Sequence, residues 1–334
     1  MTDAPKFSNR TWYWPIFKWG LCLAILIFVG IRASQLWQDD ELREVSFHFG
    51  WLGLAMVVYL LSWIPSAWYW QRLLLAMGQS AHFKNILPAY YCGHLGKYIP
   101  GKAVVLVIRA GMLKNCGHPA SVSAITATFE TLLMMGTGLA VGLALFPITE
   151  WPPGIADWIS PGWLMPFVVI VGVLVALPII SALLTRFAII MTPKTIASPG
   201  NEKPAILISK RLIFTGLGVF LVSWILLGLS LGLTLQGVSG EPFDVGHWPI
   251  WTGAVSLATA IGFAAVFAPG GVGVREGLLI EILRIQPGIG ERQAVVASVL
   301  LRLIWLVAEI LAASALYWSY RRSTSLTRES QTSS

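Results

Sequence analysis

The chain reads as an all-α, polytopic membrane protein of about six full spans plus two oppositely oriented re-entrant hairpins, each broken near its middle. Three observations predict this. First, 56% of its residues are hydrophobic and only 12% are charged, roughly half the charged share of a soluble domain. Several apolar runs reach the roughly 20 residues that a helix needs to cross a bilayer. Second, basic and acidic loops alternate along the chain, as they do when Lys and Arg collect on the cytoplasmic side. Third, two apolar stretches are interrupted by Pro-Gly sequences that leave each half too short to span. The net charge of +7 is therefore a topology signal, and nucleic acid is not an expected partner.

In order, residues 1–15 form a short cytoplasmic segment carrying Lys6 and Arg10. The first span, 16–36, is flanked by Trp12, Tyr13, Trp14 and Trp37, aromatics suited to the headgroup level. No small-residue cleavage site follows it, so it reads as a retained span rather than a signal peptide. The acidic DDELREV loop fits the outside. The second span covers about 50–77, with a kink expected at Pro65, and leads to His82 and Lys84 on the cytoplasmic side. The first broken element, 84–113, enters and leaves on that side, divided at Pro100-Gly101 and returning at Lys114. A third span, 119–146, opens on Pro119 and carries Glu130.

Loop 147–160 has Glu150 and Asp157 but no Lys or Arg, and a fourth span, 162–185, returns inward. The stretch 186–210, with Arg186, Lys194, Lys203 and Lys210, is the strongest positive-inside mark and reads as a linker between two halves. A fifth span, 211–236, leads out to Glu241 and Asp244. The second broken element, 248–285, opens to the outside, and the last span, 291–318, ends at Arg321 and Arg322. Residues 321–334 are expected to be a disordered cytoplasmic tail. One transmembrane domain, 16–320, thus holds two halves, about 50–146 and 211–318, in an inverted repeat with both termini in the cytoplasm.

The breaks carry the chemistry. Gly96 to Lys102 fits G-x-x-x-x-G-K, but Ala103 stands where a nucleotide site needs Ser or Thr, and no strand precedes it. What remains is a helix N-terminus after Pro100-Gly101, whose free backbone N–H groups suit an anion. Lys102 and Arg109 share one helical face, and Tyr90, His94 and Lys97 share another. Lys84 and Lys114, at the hairpin mouth, are expected to snorkel to the headgroups. The second break, 269–277, offers Gly270, Gly271 and Gly273 for close backbone approach, and Arg275 for multidentate phosphate contact. Glu276 either complements the dipole of the following helix or, with Arg275, neutralises partners on other helices.

Charges in the spans need partners. Glu130 must pair with a cation, take up a proton or face water. Arg302 and Glu309, seven apart with Trp305 between them, are candidate partners of Glu130 or of each other. Gly136, Gly138 and Gly142 read as close helix packing. Cys22, Cys92 and Cys116 share no ligand spacing and five scattered histidines form no pair, so no metal or cofactor is expected.

The order Pro100-Gly101 then Arg109, Phe129-Glu130-Thr131, the P-G-G-V-G-V-R-E run of 269–276 and finally Arg302 resembles the lysylphosphatidylglycerol synthase transmembrane region family over about 15–320. The resemblance implies re-entrant helices meeting between two repeats, and translocation of a lipid headgroup. The chain departs from the family pattern after Glu130, where Thr131, Leu133 and Met134 replace the expected Arg and Asp. The soluble aminoacyl-transfer domain of full synthases is not expected here, nor is enzyme activity. The resulting expectation is a flippase-like protein of the cytoplasmic membrane, possible as a homodimer, that takes an anionic phospholipid or polyprenyl-phosphate head between the two breaks. Lys102, Arg109 and Arg275 would balance its phosphate, with Lys97 beside them. Glu130, Arg302 and Glu309 would set the electrostatics of alternate states. The competing expectations are a membrane-embedded lipid transferase and a small-solute secondary transporter.

Overall fold

A computed structural model describes residues 47–99, 103–145, 209–239, 244–265, 271, 273–286 and 288–332. All of its regular structure is helical. Helices α1 (Phe49–Ser62) and α2 (Ile64–Ala76) form one apolar segment interrupted at Trp63, and Pro65 sits in the first turn of α2. The kink expected at Pro65 thus appears as a helix restart, because proline supplies no N–H for the turn before it. Gly78, at φ +74°, ends the segment.

Helix α3 (Phe83–Leu95) runs into a 3-10 turn at Gly96–Tyr98; Ile99 is extended, and α4 (Ala103–Lys114) follows. Next come α5 (Ala120–Leu145) and α6 (Lys210–Ser239). A second 3-10 turn at Val245–His247 leads into α7 (Trp248–Ala264), then α8 (Val274–Arg284) and α9 (Glu291–Thr332). Helix α9 has no Gly or Pro to stop it, so helix continues through Thr332, where the sequence predicts a disordered tail.

Among the described residues, four segments are long and apolar enough to cross a membrane: Phe49–Ala76, Ala120–Leu145, Lys210–Val238 and Glu291–Arg322. They coincide with the expected spans at 50–77, 119–146, 211–236 and 291–318. The expected spans at 16–36 and 162–185, segment 1–15 and nearly all of linker 186–210 lie outside the described residues. Helices α3, α4, α7 and α8 are shorter. At 1.5 Å per residue α3 extends roughly 20 Å, against a hydrocarbon core of roughly 30 Å.

The packing is the same when the halves are exchanged. Helix α1 packs on α6, the leading span of one half on that of the other. Helix α3 packs on α9 and α7 on α5, so the first arm of each hairpin lies on the closing span of the opposite half. The second arms, α4 and α8, pack on the closing spans of their own halves, α5 and α9. Small residues make these contacts close. A Cβ on Gly142 would sit 2.9 Å from the backbone nitrogen of Leu257 in α7, and Gly138 lies under Trp224 of α6. Gly136 faces open space, so two of the three glycines read as packing residues serve that role.

Candidate functional site

Each hairpin is closed by glycine. In the first, Gly96 abuts the backbone of Val105, and a Cβ on Gly93 would fall 2.6 Å from the side chain of Arg109. In the second, a Cβ on Gly262 would lie 3.0 Å from Cβ of Arg275, and Gly271, at φ +69°, rests on the backbone of Gly262. Both hairpins therefore seat the arginine of the second arm against a glycine of the first. The chain can pack there because no side chain intervenes.

Beyond that common seat the two arginines differ. Arg109 is sealed: its Nη1 donates to Glu130 Oε2 at 2.8 Å, with side chains 3% and 1% exposed. Tyr90 donates to the other oxygen of Glu130 at 2.8 Å, and Thr131 donates to Oε2 at 3.3 Å. The Arg109 guanidinium lies 3.9 Å from the ring centre of Tyr90 and 5.2 Å from that of Trp70. Glu130 thus finds its cation in the hairpin rather than in α9. Arg109, expected to share a cavity with Lys102 and Arg275, is occupied by this carboxylate and two aromatic rings. Lys102, Pro100, Gly101 and Gly270 lie outside the described residues.

The second group gathers where the tip of the first hairpin meets the start of α8 and the middle of α9. Lys97, in the 3-10 turn, pairs with Glu309 of α9, which also accepts from Tyr59 of α1. His94 Nδ1 is 3.7 Å from the same Glu309 oxygen. Arg275 Nε and Arg302 Nη1 each lie 3.4 Å from Glu276 Oε1. The other Glu276 oxygen accepts from the N–H of Gly273 at 2.8 Å, the capping role expected at the start of that helix. Gly273 adopts φ +85°, which a residue with a side chain rarely does.

Aromatic rings join these pairs into one cluster. Trp305 stacks on Tyr59 with centroids 4.4 Å apart, and Arg275 lies 4.8 Å from its ring. Tyr98 carries Arg302 at 5.0 Å and Lys97 at 5.2 Å from its ring centre. Ser230 of α6 fixes Trp305 by accepting from Nε1 at 3.1 Å. Arg302 and Glu309 share a face of α9 as the spacing predicts, but neither pairs with the other: Arg302 takes Glu276 and Glu309 takes Lys97. Tyr90, His94 and Lys97 form the expected face of α3, reaching Glu130 at one end and Glu309 at the other.

Sequence reasoning missed Tyr59, Trp63 and Tyr98. Tyr59 carries a hydroxyl in the middle of an apolar span, away from the interface where membrane tyrosines usually sit, and that was a usable signal. Trp63 packs edge-on against His94 at 4.1 Å, a contact with no local sequence signature.

Among the described residues, the second cluster brings Lys97, Arg275 and Arg302 together with Glu276 and Glu309, none of the five side chains more than 26% exposed. A comparison with curated proteins returns no match. The family model described as the lysylphosphatidylglycerol synthase TM region matches residues 16–313. The chain is a multi-pass membrane protein belonging to that family.

Proposed function

We propose that this protein is a flippase-like carrier in the cytoplasmic membrane, which admits the phosphate head of an anionic phospholipid or polyprenyl-phosphate lipid between its two hairpins. The observation that carries this reading is the gathering of Lys97, Arg275 and Arg302 where the hairpins meet. Among the described residues these three cations share two carboxylates, Glu276 and Glu309, at a place where charge is costly, and such a group of donors suits a phosphate. Arg275 is the principal contact, because its planar guanidinium can hold two phosphate oxygens at once. Arg302 and Lys97 flank it across the Tyr98 ring. Arg109 and Glu130 act differently, as a lock between the first hairpin and α5.

The reading is of a carrier rather than an enzyme. Glu130, Glu276 and Glu309 are each held by a cation, so none stands ready as a general base. Acyl chains would remain in the bilayer while the head crosses. The test is reconstitution into vesicles containing fluorescent phosphatidylglycerol or a fluorescent polyprenyl phosphate. Wild type should move label between leaflets, and Arg275→Ala should slow it about 10- to 100-fold, the worth of a charged hydrogen bond. Equal rates in protein-containing and empty vesicles would sink the proposal.

A further inference from the structure

Glu309 lies at the centre of the cluster and is incompletely served. Its side chain is fully buried. One oxygen receives both Lys97 and Tyr59, whereas Oε2 is buried without a hydrogen-bond partner. His94 is 7% exposed, and its Nδ1, also without a hydrogen-bond partner, sits 3.7 Å from the carboxylate. Such a separation is too long for a hydrogen bond and short enough to become one with a small ring movement. The unpartnered ring nitrogen thus faces the oxygen that Lys97 and Tyr59 share, while the second oxygen of the same buried carboxylate stands without a partner. Buried polar groups left in this way ask for an explanation.

Lys97 differs from its partner in being 26% exposed. It is also poised beside a second destination. The Tyr98 ring that carries Lys97 at 5.2 Å carries Arg302 at 5.0 Å, so a swing about that ring brings the ammonium toward the arginines. A phosphate bound by Arg275 and Arg302 would compete with Glu309 for this ammonium. Glu309 cannot follow, and a carboxylate stripped of its cation at that depth is too costly to persist. A proton is the smallest replacement.

We propose that Glu309 exchanges the Lys97 ammonium for a proton, relayed by His94, whenever an anionic head engages the arginines, so that lipid binding and proton uptake are one event. This rests on the carrier reading and supplies its coupling ion. The proton passes from water into the His94 imidazole and from its Nδ1 on to Glu309, Lys97 keeps its own proton throughout, and only N–H and O–H bonds change. The other groups around Glu309 do not compete for this role. From α1, Tyr59 donates its hydroxyl to Glu309. From α3, Tyr91 donates to the carbonyl of Leu60, and Cys92 to that of Ala313. From α8, Arg275 and Glu276 are paired, and α6 presents Ser230, engaged by Trp305. Tyr98 serves as the ring on which the two cations rest.

The test uses the purified full chain in detergent, in weak buffer with a pH indicator, titrated with dihexanoyl phosphatidylglycerol. This phosphodiester has no proton to exchange near neutrality, so any proton signal belongs to the protein. Wild type should take up about one proton per lipid bound, and Glu309→Gln none per lipid bound. His94→Gln should keep the stoichiometry while slowing uptake about tenfold or more in stopped flow, as loss of a relay does. Binding to wild type without proton uptake overturns this inference and leaves the carrier reading standing. Failure of wild type to bind the lipid overturns this inference and the phospholipid form of the carrier reading. Uptake by His94→Gln at the wild-type rate overturns the relay. The wild-type titration decides the main point even where a variant fails to fold.

Discussion

Arg109 and Glu130 show what a buried ion pair demands of its surroundings. Both oxygens of Glu130 are bonded, and the guanidinium is walled by the Tyr90 and Trp70 rings. Removing one partner strands the other in hydrocarbon. Arg109→Ala or Glu130→Ala should therefore cost about 3–5 kcal/mol, while the double substitution Arg109→Met with Glu130→Gln should recover most of it. Thermal unfolding in detergent measures both, and additive losses in the double variant would refute the pairing. Tyr90→Phe, which deletes one donor to Glu130, should cost about 1–3 kcal/mol in the same assay. The sequence exposes each of these charges as costly but not whom it meets. Arg302 and Glu309 sit seven residues apart on one face, yet two helical turns separate them by roughly 10 Å, too far for direct pairing. Each must look to another element. Spacing along one helix cannot say which hairpin will supply the partner, so the pairing of Glu309 with Lys97 and of Arg302 with Glu276 came to light only in the folded chain.

At the scale of the element, the hairpins depend on glycines whose purpose appears only when both arms are in place. The Pro-Gly breaks announce themselves, because proline and glycine interrupt an apolar run. Gly93, Gly96 and Gly262 look like any other glycine in a helical segment until the opposite arm comes within contact. Gly96 is the stricter case. A methyl there would meet the backbone of Val105 at 2.8 Å, and backbone cannot turn aside as a side chain can. Gly96→Ala should therefore pry the arms apart, destabilise the protein by about 1–3 kcal/mol and slow lipid movement, since Lys97 rides on the same turn. Gly53→Ala, in α1 where a methyl meets nothing within 4 Å, is the matched control and should be neutral or slightly stabilising. Equal melting temperatures for the two variants would show that the hairpin is not held shut by this contact.

For the molecule as a whole, hydropathy and loop charge were enough to read four of its spans from the sequence, because length and apolar character are local properties. The way the halves interlock was not local. Nothing in the chain states that α3 will lie on α9 and α7 on α5, each hairpin crossing to the other half's closing span. That exchange has a mechanical consequence. If a lipid head alternates between sides by movement of one half against the other, then α3 must shift against α9, and pinning that contact must stop transport. A natural cysteine already marks the place, since Cys92 Sγ of α3 lies 3.7 Å from the carbonyl oxygen of Ala313 in α9. Ala313→Cys provides the second thiol for a bridge between the two helices, subject to the narrow Cα separation a disulfide tolerates. Oxidation should form the bond within one chain, visible as a reductant-sensitive change in gel mobility, and should abolish movement of fluorescent phosphatidylglycerol in vesicles. Reductant should restore it, and Ala313→Cys combined with Cys92→Ser should transport whether oxidised or not. A bridged protein that still moved lipid at the wild-type rate would show that the two halves need not slide across this interface, and the carrier would have to work by local motion of the hairpin tips alone.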